Sequence, residues 1–323
     1  MQGSIARRTE QFIENRKRIE RTFRMSTPQT HCLCALLLGL DDRDADLNSI
    51  RRGKKILKKN TGMFSAFRGL GMAPAAIKLG EGEDGERKLN YAKDNVRRLR
   101  EAGFAPTDYL CPAGFLMAKQ HARADTVARH AHMHYLDMRH AHRLLTGGED
   151  VMFAVLFAMY DAERDVIYPR ADAATDLLSE RFGRTNAVQM ASFAIAMSDR
   201  PADALALDTE RLYDAVRSEG VKNRGIWDVP LLAYLAGLGA DMRETAERIA
   251  DLDAYLKEQK GFSSVRVGRS QRLFYAAALT AIDRLFSTPL SEQAYAKQRD
   301  LLQTLLLSGI LLFIVTAMTA ATT

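Results

Sequence analysis

Five of the seven histidines in this 323-residue chain fall between positions 129 and 142, in RHAHMHYLDMRHAH, and a sixth, His121, lies just upstream. Imidazole ligates Zn2+ through a neutral ring nitrogen and is the side chain that titrates nearest neutral pH. On a helix turning 100° per residue, with His130 set at 0°, His134 stands at about 40° and Asp137 at about 340°. Those three share a face and offer a metal two nitrogens and a carboxylate oxygen. His132 and His142 fall at about 200° and about 120°, so the cluster does not converge. No HExxH is present, because Ala131, His132 and Met133 separate His130 from His134. A polar helix face, continued upstream by Arg123, accounts for the same residues without a metal and is the preferred reading. A metal-dependent enzyme using His130, His134 and Asp137 is the alternative.

The next segment, HRLLTGGEDVMFAVLFAMY, has the grammar of a helix boundary. Thr146 and Glu149 are spaced as a capping box, in which the hydroxyl takes the amide three residues on and the carboxylate reaches back. Asp150 adds a negative charge at the same helix start, and His142 suits the C-terminal end of the preceding helix, where a cation meets the dipole. Arg51, Arg52, Lys54, Lys55, Lys58 and Lys59 crowd RRGKKILKK. Such a run meets anionic partners, but it lacks the interleaved aromatics that stack on bases, so nucleic acid is not expected. A solvated helix face with Ile56 and Leu57 turned inward is the preferred reading. GEGEDGE at 80–86 has no Lys-Ser/Thr and is no phosphate loop, and neither a GxSxG elbow nor a Cys/His nucleophile signature occurs. Trp227 reads as a core anchor. No cofactor is expected.

These residues need elements to hold them, and the composition says helices. Hydrophobic residues make up 47% and charged residues 27%, with 8 prolines and 21 glycines. That is a foldable chain rich in Leu, Ala, Arg and Met, which lose little rotamer freedom in a helix. Three cysteines, Cys32, Cys34 and Cys111, are too few for a disulfide framework and read as buried thiols of a cytoplasmic protein. The first 24 residues carry no apolar h-region, so no secretory signal is expected. A net charge of +6 and a pI near 9.2 permit an acidic partner without requiring one.

Phe23, Phe104, Phe182 and Phe262 stand 81, 78 and 80 residues apart, each followed by a polar stretch and a small-residue apolar segment. Amphipathic segments precede them, as in NYAKDNVRRLREAGF and RIADLDAYLKEQKGF, where Gly103 and Gly261 sit where a helix would stop in the left-handed conformation. Asp108, Thr185 or Asn186, and Ser263 or Ser264 are placed to cap the helices that follow. Segments such as TGGEDVMFAVLFAMYDAE and RGIWDVPLLAYLAGLGAD open at turns and run into apolar helices. The expectation is an all-α, solenoid-like array of about three and a half degenerate three-helix repeats of ~80 residues. Its boundaries fall at 1–40 for a partial first repeat, then 41–120, 121–200, 201–289, and an apolar C-terminal helix at 290–323.

HRLLTGGEDVMFAVLFA, with FSAFRGL and REAGFAPTDYL, resembles the bacterial family called domain of unknown function 4003. The family pattern falls on His142, Leu145, Thr146 and Asp150, on Phe64, Ser65 and Arg68, and on Gly103, Phe104, Tyr109 and Leu110. Thr107 stands where the pattern has Ser. The resemblance spans nearly the whole chain and implies neither an activity nor catalytic residues. It also implies an apolar terminal helix on a soluble protein.

Residues 301–323 carry no charge and are long enough to span a bilayer, which takes about 20 residues. Lys297 and Arg299 precede them like a cytoplasmic flank. The strongly apolar part, 305–315, suits a docked closing helix better than a span. The sequence therefore reads as a cytoplasmic binding or scaffold module without catalysis, its protein partner unknown and suited to be acidic. A tail-anchored factor held in the membrane by 301–323 is a further alternative.

Overall fold

The computed structural model describes residues 3–320 apart from 64, 142–144, 223–224 and 263–266, with the backbone alone for 316–320. Phe64, His142, Ser263 and Ser264, singled out above, lie outside the described residues. Among the described residues there is no strand; the regular structure is helical. The helices are of two kinds, and the difference follows from their sequences.

One kind is apolar all round. These are α2 (Pro28–Leu40), α4 (Met72–Gly80), α6 (Leu110–Met117), α8 (Asp150–Met159), α10 (Asn186–Ala196) and α12 (Val229–Gly237); α14 (Arg269–Ser287) takes the same place in the order but carries arginines and an aspartate beside its apolar centre. A helix with no polar face is stable in water only when covered on every side. All ten residues of α8 are accordingly buried, and so are all of Asn186–Ala196 except Asn186. The other kind carries one apolar stripe: α1 (Ser4–Thr22), α3 (Leu47–Asn60), α5 (Gly85–Glu101), α7 (Ala124–Ala141), α9 (Arg164–Phe182), α11 (Ala202–Ser218) and α13 (Met242–Glu258). In α11 the stripe is Leu205, Thr209, Leu212 and Val216, at helical spacing.

The chain divides into two compact units. Unit I comprises Phe12–Ala162 and Leu306–Thr323. In it α3 pairs with α4, α5 with α6, and α7 with α8; each apolar helix meets the next apolar one, and α3, α5 and α7 lie side by side over them. Unit II comprises Met1–Gln11 and Glu163–Leu305 and pairs α9 with α10, α11 with α12, and α13 with α14 in the same manner. The covering helices begin at 38- and 39-residue intervals in unit I (Leu47, Gly85, Ala124) and at 38 and 40 in unit II (Arg164, Ala202, Met242).

The ~80-residue interval read from the phenylalanines therefore holds two helix hairpins, four helices where the sequence pattern suggests three. The helix missing from the pattern is a second covering one: α3, α7 or α11. The stripe of α3 is only Ile50, Gly53 and Leu57, and that of α7 includes a histidine, so neither looks like a core element. Phe23, Phe104, Phe182 and Phe262 stand at the ends of α1, α5, α9 and α13, the last three where a covering helix turns into the helix it packs against. Three of them reach the next covering helix: Phe23 under the Lys54 ammonium at 4.8 Å, Phe104 at 5.2 Å from Tyr135, Phe182 at 4.9 Å from Tyr213. Phe262 instead packs on Tyr275 of α14, at 6.4 Å. Gly103 and Gly261 take φ of +117° and +97°, the left-handed ends the sequence predicts, and Thr185 accepts from the Val188 amide at 3.3 Å as the cap of α10.

Glycine sets the closest packing. A Cβ on Gly53 would lie 1.9 Å from the Ala76 carbonyl oxygen, and one on Gly80 would lie 2.1 Å from that of Ser49. The glycine inside RRGKK thus exists so that α4 can touch the backbone of α3. Buried Asn15 fixes the turn before α3, accepting from the Ala45 amide at 2.7 Å and donating to the Arg43 carbonyl at 2.8 Å. All three cysteines are buried, and none of them is in a disulfide among the described residues.

The last helix, α15 (Glu292–Ala320), is apolar all round for most of its length. Glu292–Val315 is long and apolar enough to cross a membrane, and 78% of its most apolar window is buried within the protein. Leu301, Leu302, Leu305, Leu306, Ile310 and Leu311 are among the buried residues. In unit II the Tyr234 hydroxyl of α12 donates to the Gln298 carbonyl of α15 at 3.2 Å.

Candidate functional site

In unit I the three turns from a covering helix into its apolar partner hold most of the distinctive sequence. They are residues 61–71, 102–109 and 145–149, as far as described. Ser65 caps a short turn by accepting from the Phe67 amide at 3.3 Å. Arg68 then donates to the Thr61 hydroxyl at 3.1 Å, to the Thr61 carbonyl at 2.6 Å and to the Lys58 carbonyl. A guanidinium has enough donors to satisfy several orphan carbonyls at one helix end, here that of α3, and its charge suits that end of the dipole. Phe67 meets Phe115 of α6 edge-on at 6.0 Å. The turns touch one another: a Cβ on Gly69 would lie 2.8 Å from Asp108 Oδ1, and one on Gly148 would lie 3.2 Å from both Thr107 and Tyr109.

The third turn buries two carboxyls. Asp150 is 1% exposed, and its Oδ2 accepts from the Gly147 amide at 2.9 Å. Burial, followed by the adjacent Glu149, pushes the Asp150 carboxyl well above the ordinary carboxylate range; burial raises that of Glu149 as well. Burial also lifts the Tyr109 phenol, with Glu149, Asp108 and Asp150 adding to it. No described cation forms an ion pair with Asp150. A carboxyl raised above its ordinary range is the raw material of a general acid, but here its hydrogen bond closes a turn.

The capping box read from Thr146 and Glu149 takes a different form. The N-cap of α8 is Glu149 itself, so the helix begins later than a Thr146 cap requires. Thr146 instead donates its hydroxyl back to the Met138 carbonyl of α7 at 2.9 Å, and Asp150 makes the cap-like contact with Gly147. Two glycines in series give the backbone room to turn before the helix starts.

The histidines part company. The buried stripe of α7, made by Val127, Ala128, Ala131, His134 and Met138, takes in His134, which is 3% exposed and edge-on to Phe157 at 5.6 Å. His130 is exposed and Asp137 half-exposed, on the rim of that stripe. His132 faces Phe104 at 5.3 Å, and His121 stacks on Tyr91 at 3.9 Å. His31 is buried, with Nε2 at 2.8 Å from the Phe23 carbonyl; burial lowers its pKa. Among the described residues no group of three or more His, Cys, Asp or Glu is placed to hold a metal ion.

The basic run on α3 separates into two sets. Arg52 donates to the Gly80 carbonyl, Lys54 to the Thr22 carbonyl at 3.1 Å, and Lys59 pairs with Glu86 at 3.3 Å. Burial, then Lys58, lowers the Lys54 pKa. Arg51, Lys55 and Lys58 are exposed and form no ion pair with any described residue. At 100° per residue they lie within about 60° of arc, one continuous cationic stripe. Beside the end of α3 a cavity of about 580 Å3 is lined by Asn60, Thr61, Ser65, Lys93, Arg97 and Arg100, among others. The sequence run marked the stripe, whereas nothing local marked Lys93 and Arg100, which come from the next covering helix.

The family model described as a protein of unknown function (DUF4003) matches residues 15–316. No curated protein and no solved structure matches the chain.

Proposed function

The chain belongs to the DUF4003 family, and we propose that it acts as a binding module for an acidic protein segment rather than as a catalyst. The hairpins form a solenoid-like array on this reading, and the partner lies along the covering helices of unit I. The observation that carries the proposal is the stripe of Arg51, Lys55 and Lys58, three exposed cations that form no ion pair with any described residue. Such a face has a high local potential and attracts carboxylate-rich chain. The cavity with Lys93 and Arg100 extends the same charge past the end of α3. The absence of aromatics along the stripe favours a protein over nucleic acid. The module is proposed to be cytoplasmic, with α15 docked on its own chain; the buried leucines of that helix and the Tyr234 bond support docking.

The test is fluorescence anisotropy of a labelled polyglutamate peptide with the full chain. Binding is expected to weaken as salt is raised, because exposed charges are screened beyond ~10 Å at 0.1 M. Replacing Arg51, Lys55 and Lys58 by Glu together is expected to weaken it by about tenfold or more, which is about 1.4 kcal/mol. Equal affinity in the triple variant would remove the basis of the proposal.

A further inference from the structure

Unit II contains a second cationic cavity, of about 420 Å3, where the turn leaving α11 meets α13 and the first turn of α14. Four cations line it: Lys222 from the turn, Lys257 from α13, and Arg269 and Arg272 from α14, against the carboxylates of Glu219 and Asp253. Arg272 is the informative one. It is 4% exposed, and Nε and Nη2 form a two-pronged pair with Asp253 at 2.8 and 3.1 Å. Its Nη1 is buried and has no hydrogen-bond partner among the described residues. A guanidinium held by one carboxylate along one edge leaves its remaining nitrogen in a fixed direction. An unsatisfied buried donor of this kind costs on the order of a hydrogen bond unless something else accepts from it.

We propose that this cavity binds a phosphoryl group, with Arg272 Nη1 as the fixed donor and Lys222, Lys257 and Arg269 as the mobile counter-charges. The cations exceed the carboxylates by two among the lining residues, which matches a dianion. Lys222, Lys257 and Arg269 are exposed and form no ion pair with any described residue, so an incoming anion displaces no existing partner. Two of the four cations stand in the first turn of α14, a 19-residue helix whose positive dipole end adds to the field there. Arginine recognises the tetrahedral oxyanion by geometry and lysine by charge, and both are present. The Asp253 pair holds Arg272 in place before the ligand arrives, which lowers the ordering cost of binding.

The site is tested with the full chain and two probes. Pyrophosphate in solution, followed by calorimetry, reports a free phosphate ligand; sedimentation with vesicles carrying phosphatidic acid reports a lipid headgroup. Saturable binding to either is expected, and which of the two binds identifies the source. In K257A/R269A, whose changes are at exposed positions, affinity is expected to fall by about tenfold or more with the melting temperature of the unliganded chain unchanged. Arg272→Lys is expected to lose more, and circular dichroism on that variant separates lost binding from lost folding. Arg243→Ala, an exposed cation elsewhere in unit II, is expected to bind as the parent does. Binding of neither probe, retention of affinity in K257A/R269A, or an equal loss in Arg243→Ala would each overturn the assignment.

Discussion

The starts of α8 and α12 solve the same problem in opposite ways. Each apolar helix begins at a buried aspartate, Asp150 in unit I and Asp228 in unit II, both 1% exposed. Asp228 is met by Arg217 of α11, whose two terminal nitrogens stand 2.6 and 2.9 Å from its carboxylate oxygens. The same guanidinium donates to the Gly225 carbonyl at 2.7 Å and lies over the Tyr213 ring at 3.5 Å. Asp150 has a second carboxyl beside it, Glu149, and accepts from the Gly147 backbone amide. One turn is locked by a charge pair, and the other stores an acid held against its ordinary pKa. Burial alone therefore does not fix what an aspartate does; the element packed opposite decides it.

The largest expected effect sharpens that contrast. Arg217→Met strands Asp228 as an unpaired buried charge and is expected to cost about 3–5 kcal/mol in urea denaturation. Adding Asp228→Asn to Arg217→Met removes the stranded charge and is expected to recover a large part of that loss. If the double variant is no more stable than the single, the pair is not what locks this turn. Asp150→Asn should act with the opposite sign. A carboxyl raised in the folded state contributes stability that is fully present below its unfolded pKa and is lost as pH rises through the folded value. The parent chain therefore loses stability from this group as pH rises above the ordinary carboxylate range. The Asn variant is expected to be more stable than the parent by about 1 kcal/mol at pH 8 and no more stable near pH 4. A thermal unfolding series across pH that shows the same difference at both ends would break the comparison. The smallest effect is Thr146→Val, which deletes the bond to the Met138 carbonyl and should cost about 0.5–1 kcal/mol in the same series.

Much of the fold was legible because helices announce their burial. The fully apolar runs of α8, α10 and α12 have no polar side and must be enclosed. The recurrence of Phe23, Phe104, Phe182 and Phe262 was readable as spacing, and Gly103 and Gly261 as helix ends. What was hidden is instructive in each case. The hairpin went unseen because α3 contributes a glycine rather than a large side chain to its contact, and Gly53 has meaning only opposite Ala76. His134 shares a helix side with His130 and Asp137 in projection, yet the packing of α8 draws the boundary of the core between them. Each cavity is lined from more than one element, so no local motif groups Lys93 with Thr61, or Arg272 with Lys222.

Taken alone, the order of apolar and charged residues determines that this chain is helical, which helices must be enclosed, and where most of them stop. Those are local consequences of side-chain solubility and backbone freedom, and they need no neighbour to act. The tertiary structure decided which covering helix pairs with which apolar one, whether a buried aspartate meets a guanidinium or another acid, and which cations remain unpaired at the surface. Each of those depends on groups far apart in the chain, and electrostatic energy follows distance in space and the local dielectric, not separation in sequence.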